Sequence, residues 1–103
     1  MHLPTAVNAL SALAHASRLA VFRLLVRAGP DGMPAGEIAR EIGVLPNTLS
    51  SHLTILGFAG LIKSRRAGRS IIYSADYDRM RELLGFLVED CCGGRPEICA
   101  PFA

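Results

Sequence analysis

Three cysteines, Cys91, Cys92 and Cys99, fall within nine residues near the C-terminal end of a 103-residue chain that has no others. Thiolates are soft ligands and good nucleophiles, so this spacing offers either ion capture or thiol oxidation. An odd, clustered count is poor material for a disulfide framework. The seven-residue step from Cys92 to Cys99 spans at most roughly 25 Å when extended. Gly93, Gly94 and Pro96 let it fold back, so the three thiolates can converge on one ion. Three soft donors without a fourth suit a thiophilic ion that takes three, as trivalent arsenic (arsenite) does in a trigonal pyramid. Structural zinc asks for four ligands. Antimonite makes the same demand as arsenite, and methylated As(III), with two open positions, needs only two of the thiols. Soft cations such as cadmium or lead, or a redox switch closing a bond between Cys92 and Cys99, are the other readings of these residues. Catalysis is not expected, because His2, His15 and His52 are distant in sequence and no Gly-rich loop follows a strand.

A second group with chemical potential is polar and basic. Leu49, Leu53 and Leu56 have the spacing of a core stripe and predict a helix over 46–59. At about 100° per residue, with Leu49 at zero, Asn47, Ser51 and Thr54 lie at about 160°, 200° and 140°, on the opposite face, flanked by Thr48 and Ser50. Small hydrogen-bonding side chains with no acid among them suit a major groove. His52, at about −60°, borders the core and is expected to donate to a phosphate. Taken alone, such a face is more often simply solvated. Directly downstream, however, Lys63, Arg65, Arg66 and Arg69 fall within seven residues around Gly68. Together they predict a double-stranded DNA site in which phosphate contacts position and helix contacts specify.

The remaining chain has to hold these groups in place. Leu3, Val7, Leu10 and Leu13 follow helical spacing behind Pro4, and a second helix is expected from Ser17, as N-cap, to Gly29-Pro30. Two short helices, about 34–42 and 46–59, each open on a proline and join through Gly43-Val44-Leu45, which describes a helix-turn-helix. Strands over 61–66 and 70–74 meet at Ala67-Gly68-Arg69. Asp76 then caps a last helix of about 15 residues carrying Met80, Leu83, Leu84, Leu87, Val88 and Cys91, ended by Gly93-Gly94. On that stripe Cys91 also reads as a plain buried interface thiol. The expected fold class is mainly α with a small β-hairpin, a winged helix-turn-helix of order α-α-α-α-β-β-α. Residues 1–92 are the expected DNA-binding and dimerisation domain, and 93–103 a tail that completes the thiol site.

The run from His15 to Leu25, then Glu37-Ile38-Ala39, Leu49-Ser50-Ser51-His52-Leu53, Leu56, Gly60-Leu61-Ile62, Gly68-Arg69 and Tyr73 resembles the ArsR/SmtB winged-helix repressors over about residues 6–90. The resemblance implies a homodimer joined through its first and last helices. It also implies binding to operator DNA without effector and release when a metal or metalloid binds. A Cys-Cys pair with a third Cys beyond the last helix looks like the C-terminal type of arsenite sensor. Two departures are visible: the helix before the turn lacks a Cys-Val-Cys box, and the last helix carries no His for a zinc site. The second helix has no Cys, which argues against a persulfide-sensing pair.

Composition is consistent with these expectations. Half of the residues are apolar and 19% are charged, which excludes a disordered tail, and no apolar run approaches the roughly 18 residues of a spanning helix. A soluble, cytoplasmic protein with no membrane partner is expected. A chain of this size is marginal as a monomer, so dimerisation would help. The net charge of +2 divides into +5 over residues 1–75 and −3 over 76–103, so the basic part is the one suited to a polyanion.

Overall fold

A computed structural model describes residues 1–89. The chain runs through α1 (Leu3–Leu13), α2 (Ala16–Ala28), β1 (Met33–Pro34), α3 (Ala35–Ile42), α4 (Pro46–Phe58), β2 (Ile62–Ala67), β3 (Ser70–Ala75) and α5 (Tyr77–Val88). Among the described residues this is the expected helical order with an antiparallel hairpin. One strand was not foreseen: β1 pairs with β3, giving the sheet order β1-β3-β2.

The core is built where three helices and the base of the hairpin meet. Val21, Phe22 and Leu25 of α2 pack with Ile38 of α3, Leu49, Leu53 and Leu56 of α4, and Leu61 with Ile62 at the start of the hairpin. Each fully buried large side chain contributes roughly 1.5–3 kcal/mol. The first helix joins this core through small residues, Ala6, Ala9 and Ala12, which permit close approach. Of its large residues only Leu13 packs against the core; Leu3, Val7 and Leu10 are 64%, 54% and 41% exposed. On α5, which packs against α1, Leu84 and Leu87 are exposed as well.

Two local expectations change here. The N-cap of α2 is His15, not Ser17; the imidazole Nδ1 accepts the backbone N–H of Ser17 at 3.2 Å, the role a serine oxygen was expected to fill. Pro34 does not open α3 from within but precedes it, pairing in register with Ile72 while Met33 pairs with Tyr73. An edge position tolerates proline's missing N–H. The approach to β3 needs Gly32, whose φ is +76° and where a Cβ would collide with the carbonyl oxygen of Tyr73.

Asp76 caps α5 as expected, accepting the backbone N–H of Arg79 at 3.0 Å. The helix has 12 residues rather than about 15, because Glu89 leaves helical geometry with ψ 124°. Cys91, expected on the same stripe, lies outside the described residues. The expected Gly93-Gly94 stop, the boundary at 92 and the 93–103 tail lie outside the described residues. Among the described residues, no single helix is long and apolar enough to cross a membrane.

Candidate nucleic-acid interface

The exposed side of α4 is set by what its other side buries. With Leu49, Leu53 and Leu56 in the core, Asn47, Thr48, Ser50, Ser51 and Thr54 are all exposed. No acid lies on this helix or in the hairpin that follows. The hydroxyls are partly committed: Thr54 donates to the carbonyl of Ser50 at 2.9 Å and Ser51 to that of Asn47 at 3.5 Å. In those rotamers each presents oxygen lone pairs outward, so the face accepts from base amino groups, while the Asn47 amide both donates and accepts.

The N-terminal end of α4 carries a residue that the helix-start rules passed over. Leu45 is the N-cap, makes no side-chain cap bond and is 73% exposed. Its only sequence signal is a large apolar side chain where Ser, Thr, Asn or Asp is preferred.

His52 corrects the expectation of a phosphate donor. It is 7% exposed, with its ring 4.8 Å from that of His15, and its buried Nδ1 has no hydrogen-bond partner among the described residues. Nearby, Arg18 is held by its Nε bond to the carbonyl of Ala12 at 2.6 Å. The angular position of His52 was at the core's border, and the N-terminus of α2 closes over it. Burial, then His15, then Arg18 hold the His52 pKa below its usual 6.5. The fold thus favours the neutral ring, whereas unfolding frees it to take up a proton. His52 stability is fully present above pH 6.5, declines as pH falls below that value, and levels off below the lowered native pKa. Urea unfolding is expected to give a lower midpoint at pH 5.5 than at 7.5, with a smaller difference in His52→Gln. Equal pH sensitivity in both proteins would remove His52 as the source.

The basic hairpin is not one cluster. Lys63, Arg65, Arg66 and Arg69 are all exposed, but successive strand residues face opposite sides. Arg66 pairs with Ile71 and shares a face with Ser64, Tyr73, Ile62 and Ala75, the face turned toward α3 and α4. Arg65 lies on the other face, where its Nη2 donates to the carbonyl of Asp31 at 3.0 Å. Arg66→Ala is therefore expected to weaken binding to any duplex and to lower the salt slope by about one, with Arg65→Ala costing less. Fluorescence anisotropy at several salt concentrations checks this ranking, and equal losses from the two variants would contradict it.

The helix-turn-helix domain family matches residues 13–65, which run from the end of α1 into β2. Nodulation protein NolR of Rhizobium meliloti is 34% identical over 82 residues, covering 80% of this chain and 65% of NolR. The HTH-type transcriptional regulator YgaV of Escherichia coli (strain K12) is 31% identical over 83 residues, covering 81% of this chain and 82% of YgaV. The chain belongs to the helix-turn-helix transcriptional regulators. Among solved structures, a winged helix-turn-helix domain of Mb0332 from Mycobacterium bovis superposes with a TM-score of 0.68 at 25% identity, over 90% of this chain and 86% of that one. That domain is described as homodimeric, DNA-binding and possibly ArsR-family. In this winged helix-turn-helix, α3 and α4 are the helix-turn-helix, α4 stands in the place of the reading helix, and the β2–β3 hairpin is the wing. The three cysteines expected to form the effector site, Cys91, Cys92 and Cys99, lie outside the described residues.

Proposed function

We propose that this regulator is a homodimeric repressor that binds operator DNA and releases it when trivalent arsenic binds Cys91, Cys92 and Cys99. Arsenic-resistance genes are then the natural target of control. The observation that carries the DNA half is the acid-free, hydroxyl-rich face of α4 beside an arginine-bearing wing. Dimerisation is supported by the large apolar residues left exposed on α1 and α5, two helices that pack together. The effector half rests on donor chemistry: three thiols within nine residues, no fourth soft ligand near them in sequence, and an ion class that asks for three.

The test is operator release followed by anisotropy while arsenite, antimonite, cadmium or zinc is titrated into the reduced protein and into Cys99→Ser. Release by arsenite in the native sequence but not in the variant is the expected result. Release in both would reduce the site to two thiols, as suits methylated arsenic. Silence with every ion, together with release by mild peroxide, would replace metalloid sensing by a thiol redox switch.

A further inference from the structure

Leu45 stands at the N-cap of the reading helix, the end that meets base edges first in a helix-turn-helix. An N-cap leucine leaves the first-turn N–H groups without a side-chain acceptor, and this one also leaves most of its apolar surface in water, at 73% exposure. Both features disfavour the free protein. The next residue, Pro46, is exposed too, and beside it an apolar slot of about 290 Å³ opens between α3, α4 and β3, lined by Ala35, Ala39, Leu49, Leu53 and Tyr73. Asn47 and Ser50 edge that slot and also line the neighbouring hollow on the polar face of α4. The tip of the reading helix is therefore apolar where its flank is polar. In the major groove only one base offers an apolar group, the 5-methyl of thymine.

We infer that Leu45 is a specificity-determining residue that reads a thymine 5-methyl in each half-site, with Pro46 completing the apolar surface. The inference rests on the operator-binding reading above and deepens it. Ser51, Thr54 and Asn47 would then select hydrogen-bonding edges further along the groove, while Leu45 selects thymine over cytosine or uracil by burial of one methyl.

The experiment starts from a duplex recovered from a random pool by the native protein, in which single thymines are then replaced by deoxyuridine, removing the methyl and nothing else. Burial of one methyl group corresponds to about a fourfold change per half-site, or roughly fifteenfold across two. One thymine position per half-site is expected to show that loss with the native protein and little or none with Leu45→Ser. Because the comparison is made within each protein, a phosphate bond gained by the new serine does not distort it. The same variant is expected to melt about 4 °C higher or more, since it restores the missing cap. Equal binding of thymine and deoxyuridine duplexes by the native protein would overturn the inference. Undiminished discrimination by Leu45→Ser would assign the methyl to another residue and overturn it as well. Failure to recover any preferred sequence would instead overturn the operator-binding reading beneath it.

Discussion

Val7→Asp combined with Leu87→Asp is expected to yield a folded monomer that binds a two-half-site operator about 1,000-fold more weakly than the native regulator. Neither residue belongs to the core, which α1 enters through Ala6, Ala9 and Ala12 and α5 through Leu83. The two are instead 54% and 48% exposed on a helix pair that packs together. In a dimer joined through this face, four carboxylates would be brought into an apolar contact and desolvated without partners, which costs far more than the contact returns. Each half-site is then bound alone, and the gain of about 100-fold to 10,000-fold from linking two reading heads disappears. Sedimentation velocity reads the oligomeric state and anisotropy the affinity. A double variant that remains dimeric would place the interface elsewhere. A monomer with native affinity would mean that the operator engages one head only.

The helix-turn-helix and wing were legible because three signals agree along them. The hydrophobic period changes from 3.6 to 2 after Gly60, and prolines open and glycines close the helices. What failed was what depends on residues far apart in sequence. Strand β1 has two residues, too few for any period, and exists because Gly32 lets the chain lie against Tyr73 and Ile72. His52 sits at the edge of a helix's apolar stripe, and its burial is decided by His15 and Arg18 from another helix. Arg65 and Arg66 are indistinguishable as letters, yet strand alternation sends one to the carbonyl of Asp31 and the other to the α4 side. On α1 the visible stripe of Leu3, Val7, Leu10 and Leu13 sends only Leu13 against the core, which took the alanines beside it. The thiols were legible mainly as chemistry: Cys91 has the spacing of the last helix's stripe, whereas Cys92 and Cys99 have no period to place them, and all three lie outside the described residues.

Operator DNA at saturation is expected to weaken arsenite binding about 100-fold. Release of the operator by the same factor requires about 2.7 kcal/mol of coupling, and linkage obliges the two ligands to oppose each other equally. The described part of α5 offers a stiff route for it. The N–H of Asp76 donates to the carbonyl of Leu61 at 2.9 Å, just past the end of α4. Arg79 lies against Gly60, so closely that a Cβ there would come within 2.9 Å of its Nε. Tyr77 donates to the carbonyl of Val26 at 3.0 Å, tying the same helix to α2. Arg79 and Tyr77 can follow a displacement of α5 by rotamer changes, but the backbone bond from Asp76 to Leu61 cannot, so such a displacement is expected to reach the segment between the end of α4 and the wing. Calorimetric titration of arsenite into the reduced protein, with and without a selected duplex, measures the coupling directly. An arsenite affinity unchanged by DNA would leave the thiols as a site without a switch, and regulation would then have to act through protein abundance or a different ligand.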